Sequence, residues 1–139
     1  AGSAKDSATT VAWGVTGDRD DAIDSIAVAS IFRLASGSAV NTVVIENDDT
    51  VNTNDDVATG FTLTDSVWAK FKIDFSDLND VKYYAGLATG QLARVGNSTA
   101  MKMSSYAAGL QPFFQLQKTS DANTDALQID YVRVWGVRL

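Results

Sequence analysis

Two residue types with distinctive chemistry are missing from this chain of 139 residues: it contains no cysteine and no histidine. Without cysteine there is no disulfide, no thiolate zinc site and no cysteine nucleophile. Without histidine the chain lacks the commonest general base and the commonest ligand for transition metals. Catalytic groupings that combine a serine or cysteine with histidine are therefore excluded.

Positive charge is also scarce. The 11 Lys and Arg stand against 17 Asp and Glu, which gives a net charge of -6. The cations are spread singly along the sequence, whereas binding to phosphate backbones needs them clustered. No apolar run reaches the length of about 18 residues that marks a membrane span. We therefore expect neither nucleic acid nor membrane as a partner.

Strong helix formers are rare, since Glu46 is the only glutamate beside 16 aspartates. Short apolar stretches alternate with polar, turn-rich segments, a pattern typical of sandwiches and barrels. The sequence predicts one all-β domain over residues 1–139, a two-sheet antiparallel sandwich with little helix, preceded by a flexible or extended segment at 1–8. The predicted strands lie near 9–15, 25–34, 40–46, 57–63, 66–75, 81–85, 90–95, 111–118 and 126–135.

The clearest strand signal is "SVWAKFKIDF" at 66–75, in which apolar and polar residues alternate. A period of two predicts one set in the core and the other toward solvent. The core set is Val67, Ala69, Phe71, Ile73 and Phe75, and the outer set is Trp68, Lys70, Lys72 and Asp74. The polar "SDLND" that follows, and then "VKYYAG", predict a hairpin.

Three features near the C-terminus complete the predicted architecture. The segment "SSYAAGL" at 104–110 is the one candidate for a helical turn, ended by Gly109. Pro112, the only proline, is expected at the start of a strand, where its missing N–H does least harm. The run at 126–135 is apolar on both faces, which predicts a strand covered on both sides.

Part of this sequence resembles a known family. Trp68, then "FKIDFSD", "DVKYY", "LQPFFQLQK" and "IDYVRVW", look like the C-terminal half of the concanavalin A-like lectin and glucanase jelly rolls. They look most like the versions in tailed-phage virion proteins, including head decoration proteins. The resemblance covers about residues 66–135, and the loop "AGLATGQLARVG" departs from it. It implies a jelly-roll sandwich located on the capsid surface.

Carboxylates give little support for catalysis. The glucanase branch carries Glu-x-Asp-x-Glu on one strand, and here Glu46 and Asp48 fit but Thr50 replaces the second glutamate. Since glycoside hydrolysis needs two positioned carboxyl groups, we expect no enzyme activity and interpret Glu46 as the polar end of a strand. The acidic loops 17–24 and 47–56 depart from the calcium-loop pattern. We expect solvated turns there, and no metal or other cofactor.

The residue types suited to recognition are aromatic and amide side chains. If Phe114 and Leu116 face inward, Gln111, Phe113, Gln115 and Gln117 share the opposite face. The candidate residues for an interface or a glycan site are Trp68, Tyr84, Phe113, Gln115, Gln117 and Trp135.

Two functions stay open at this point. The first is a capsid decoration or cement protein that contacts the major capsid protein, other virion proteins or its own copies, as a homo-oligomer such as a trimer. The second is a lectin-like module on the virion that binds a glycan.

Overall fold

The computed structural model describes residues 8–34, 41–64, 66–119 and 126–136. Over these residues the chain is nearly all β, and the predicted two-sheet antiparallel sandwich is confirmed. A single 3-10 turn spans Ile23–Ser25. The strands are β1 Thr9–Thr16, β2 Val28–Leu34, β3 Thr42–Asp49, β4 Thr53–Thr62, β5 Ala69–Asp74, β6 Lys82–Leu87, β7 Ala93–Val95 and β8 Gln111–Lys118.

The two sheets differ in size. The large sheet has five strands in the order β4-β3-β2-β1-β8, and the small sheet has three in the order β5-β6-β7. Every pairing is antiparallel. β1 lies between β2 and β8, so that Trp13 faces Phe32 on one side and Phe114 on the other. The first and last described strands are thereby neighbours.

Aromatic side chains fill the space between the sheets. Phe32 of β2 is buried, and its ring lies 4.9 Å from Phe71 and 5.3 Å from Tyr83, measured between ring centroids. Tilted and edge-on arrangements at these distances are favourable beyond the area that they bury. The Tyr83 hydroxyl also shares a hydrogen bond with the Ser30 hydroxyl, which links the small sheet to the large one inside the core.

β2 is the strand that is covered on both faces. All seven of its residues are buried. On the outer face of the large sheet, Ala29 and Ile31 pack with Ile23 and Ile26, which belong to the 3-10 turn and its end, and with Phe113. The turn therefore acts as a lid over the centre of the sheet, and the core has two layers.

The predicted strand at 126–135 is wrong. Residues 126–136 carry no strand pairing, and most of their apolar side chains are exposed. A segment with two apolar faces is buried only if layers exist on both sides, and the fully buried core positions between the sheets are taken by β2, β3, β6 and two methionines. Asp130 is accordingly exposed rather than buried.

Other local predictions have mixed outcomes. No helix forms at 104–110, where the chain makes only a turn, and the helical turn lies at Ile23–Ser25. The strand predicted from residue 66 begins at Ala69, and Val67 is exposed. Residues 1–7, most of the predicted N-terminal segment, lie outside the described residues.

The predicted hairpin of β5 and β6 is confirmed. The Asp77 carboxylate accepts a hydrogen bond of 2.9 Å from the Asn79 backbone N–H and closes the "SDLND" turn. Phe71, Ile73 and Phe75 pack against the core as predicted. Pro112 is the second residue of β8, an edge strand, where a missing N–H is tolerated.

Gly14 allows the close approach of β1 to β2. Its φ is +152°, and an added Cβ would lie 2.4 Å from the Ser30 carbonyl oxygen. We predict that Gly14→Ala lowers the free energy of unfolding by about 2 kcal/mol or more, because both backbone strain and overpacking oppose it. Gly109→Ala is the control, since its added Cβ meets nothing within 4 Å. Equal stability of the two variants in urea unfolding would contradict this account of the β1–β2 contact.

Candidate functional site

The six residues predicted for recognition do not form one site. Tyr84 lies on the outer face of the small sheet, where the Lys72 ammonium stands 5.2 Å from the centre of its ring. Trp68 precedes β5 and is exposed. Phe113, Gln115 and Gln117 belong to β8, and Trp135 lies beyond it in the C-terminal part of the chain. The structure thus places them in four separate parts of the chain.

On β8 the alternation is as predicted, but burial differs from expectation. Phe113 is only 6% exposed, because the 3-10 turn covers its face of the sheet. The Gln115 side-chain amide donates a 2.9 Å hydrogen bond to the Asp21 carbonyl and holds the loop that leads to this turn. Both residues therefore have structural roles, and little of the Phe113 side chain is exposed.

Phe114 is the exposed aromatic residue of this strand. It pairs with Trp13 and so lies on the inner face, yet its side chain is 39% exposed. An open pocket of about 320 Å³ lies beside it at the edge of the sheet. The residues that line the pocket are Arg19, Gln111, Pro112, Phe113, Phe114 and Gln115. This edge offers an aromatic face with amide and guanidinium groups around it.

A second pocket, of about 290 Å³, surrounds the buried arginine Arg33 on the outer face of the large sheet. The Arg33 guanidinium contacts the carboxylates of Asp24 and of Asp56, the latter at 2.6 Å. Its Nε lies 3.2 Å from Oε2 of Glu46. Three carboxylates thus compensate one buried cation, which would otherwise be costly to remove from water.

A β-bulge brings the acidic residues together. β3 pairs Ile45 with Val57 and Asn47 with Asn54, so Asp55 and Asp56 both lie opposite Glu46. Asp56 has a left-handed φ of +50°, which is uncommon for a residue other than glycine. Sequence reasoning missed this cluster, although an arginine in the apolar run "SIFRL" signals a buried cation in need of partners.

Contrary to the prediction from the sequence, Glu46 does not lie at the end of a strand. It lies within β3 and is buried. Burial raises the pKa of its carboxyl to about 7, against the opposing attraction of Arg33 and with added repulsion from Asp24, Asp55 and Asp56. A protonated carboxyl near ionised ones is what a general acid requires. Here, however, the guanidinium lies among the carboxylates and makes the cluster an ion-pair network.

The acidic turn after β3 is ordered by hydrogen bonds. Burial alone would raise the pKa of Asp49, but hydrogen bonds from the backbone N–H groups of Asn52, Ser105 and Val51 and from the Asn52 side chain lower it to about 2. The Asp48 carboxylate accepts from the Thr50 N–H at 2.7 Å. The predicted solvated loop is therefore a tight turn in which Asp49 is buried.

Within the described ranges, no group of three or more acidic side chains is arranged to hold a metal ion. No helix among these residues is long and apolar enough to cross a membrane.

Residues 126–136, here called the C-terminal segment, include several large apolar side chains that are exposed. Leu127 packs against the core, but five later apolar side chains are exposed, reaching 74% for Val134. The Arg133 guanidinium lies 5.2 Å from the centre of the Trp135 ring. The exposed apolar residues are Ile129, Tyr131, Val132, Val134 and Trp135. The segment thus combines an anchored start with an uncovered apolar continuation.

Comparison with models of protein families, with curated proteins and with solved structures finds no match.

The raised pKa of Glu46 predicts a pH dependence of stability. The folded carboxyl keeps its proton up to about pH 7, whereas the unfolded one loses it near 4.5. Because the native state binds more protons in this window, the free energy of unfolding falls as pH rises, by up to ~3 kcal/mol. Urea unfolding between about pH 5 and about pH 8 measures this change. The free energy of unfolding should not fall in this way in Glu46→Gln, whereas it should still fall in the control Asp48→Asn. An unchanged slope in Glu46→Gln would contradict the prediction.

Proposed function

We propose that this chain is a virion structural protein that decorates or cements a phage capsid by protein–protein contacts. The observation that carries the proposal is the C-terminal segment, in which Ile129, Tyr131, Val132, Val134 and Trp135 are exposed together. Contiguous exposed apolar residues mark interaction surfaces. The chain has a net charge of -6, which favours solubility. An exposed apolar group on such a chain is what a partner-binding surface requires.

The composition of the segment supports adhesion to protein. Tyr131, Arg133 and Trp135 are of the types enriched at protein–protein interfaces. Tyr131 is 70% and Trp135 65% exposed, so a partner that covers them removes a large apolar area from water. Burial at ~25 cal/mol per Å² makes such aromatic residues the strongest contributors to association.

The proposal takes its partners from the resemblance to virion jelly rolls, although "IDYVRVW" lies outside the sheets of this chain. The partners it implies are the major capsid protein, other virion proteins and further copies of this chain. Each contact that forms only in the assembled state stabilises assembled over dispersed subunits by linkage. The protein would act by this means, without forming or breaking a covalent bond.

A lectin-like role is the second candidate, and the edge of β8 favours it. Phe114 is 39% exposed, and Gln111 and Arg19 are among the residues that line the same pocket. Sugar rings stack on aromatic faces, and their hydroxyl groups pair with amide and guanidinium groups. This pocket would accept a glycan without involving the C-terminal segment, so the two functions can be separated by mutation.

We predict that the double variant Tyr131→Ser, Trp135→Ser binds particles assembled without this protein at least about tenfold more weakly than the unaltered chain, the loss expected when two anchoring aromatics are removed. Co-sedimentation with such particles measures this. The control is Leu78→Ser, which alters an exposed apolar residue in the β5–β6 turn. Full binding by the double variant, or an equal loss in the control, would contradict the proposal.

For the glycan alternative, oligosaccharides added to labelled protein should shift the amide resonances of Gln111–Gln115, and Phe114→Ala should abolish the shifts. Tyr84→Ala, on the outer face of the small sheet, is the control and should leave the shifts unchanged. Absence of any change with host or environmental oligosaccharides ends the lectin hypothesis.

A further inference from the structure

The small sheet does not cover the whole inner face of the large sheet. β7 contacts β4, and β5 reaches Trp13 of β1, whose ring centroid lies 4.8 Å from that of Phe71. β8 is the neighbour of β1 on the far side, and no strand among the described residues lies over it. The exposure of Phe114 follows from this gap.

The gap lies beside the edge of a strand. β5 pairs with β6 on one side, and its other edge has no strand partner within the described part of the chain. Burial decreases toward that edge: Tyr83 and Ala85 of β6 are buried, whereas Ile73 and Phe71, which pair with them, are only partly buried. An unpaired strand edge presents N–H and C=O groups that can accept a further strand.

The C-terminal segment has the residues that such a strand needs. Ile129 and Tyr131 flank Asp130, so in an extended strand their side chains share one face and Asp130 lies on the other. With that face turned toward Phe114 and Trp13, Asp130 falls on the outer face of the small sheet. Lys70 and Lys72 of β5 lie on this outer face, and opposite charges on neighbouring strands stabilise pairing.

We propose that residues 129–136 of one copy add to the small sheet of a second copy, along the free edge of β5. Leu127 stays packed on its own core and anchors the segment, while the apolar side chains from Ile129 onward are exposed. The inference rests on the proposed function and names the partner as this chain itself. Exchange of this kind closes a ring or continues from copy to copy, which suits a protein that reinforces a shell.

Because the chain contains no cysteine, disulfide cross-linking tests the proposal cleanly. One protein carries Lys70→Cys on the outer face of β5, and a second carries Asp130→Cys, Val132→Cys or Val134→Cys, so that three partners sample the register. Paired positions on adjacent strands are close enough for a disulfide. The control replaces Lys70→Cys by Lys102→Cys, at an exposed residue outside the strands.

Mixing the two proteins under mild oxidation should give a covalent heterodimer with one of the three partners and none with the control. In a second format, both cysteines are placed in the same chain. If only an intramolecular disulfide forms there, the segment pairs within one copy and the proposal is overturned. No cross-link in either format would overturn it as well. If no cross-link forms but the double variant Tyr131→Ser, Trp135→Ser loses particle binding, the proposed function stands and only this mode of contact fails.

Discussion

The fold depends on the burial of β2 from both sides. The Phe32 ring joins Trp13, Phe71 and Tyr83 between the sheets, and Ile31 is covered on the opposite face by the 3-10 turn. Every other element is positioned relative to this strand, either as a neighbour in the large sheet or as a layer above or below it. At ~1.5–3 kcal/mol for each large apolar side chain that is fully buried, this double layer is the main source of stability.

Burial of β2 also explains the charged cluster. A strand with two covered faces includes Arg33, and a buried guanidinium requires compensation. The bulge in β4 supplies it by turning Asp56 toward the cation, and Glu46 from β3 completes the set. The raised pKa of Glu46 is thus a consequence of packing.

Local patterns in the sequence predicted local structure well. The hairpin of β5 and β6 was predictable because its alternation and its turn residues both lie within one short stretch. The C-terminal segment was not, because its two apolar faces indicate a covered strand only if the fold provides the covering layers. "VASIFRL" has the same property and is covered on both faces, because the residues around Ile23 fold over it.

In the candidate sites, too, some features were predictable from local sequence and others depend on the rest of the fold. The residue types on β8 were predictable, but which of Phe113 and Phe114 stays exposed depends on the lid of residues 23–26 and on the width of the small sheet. The Arg33 cluster depends on a register shift between β3 and β4, which no local pattern encodes. Long-range pairing therefore decides which chemistry reaches the surface.

Together these features describe a two-layered sandwich whose proposed adhesive surface, the C-terminal segment, lies outside its sheets. Hydrogen exchange of the amides at 129–136 tests this most directly, because pairing in a ladder slows exchange and exposure does not. The account predicts rapid exchange in the free monomer and strong protection in the assembled state. Protection already present in the monomer, or its absence after assembly, would contradict it.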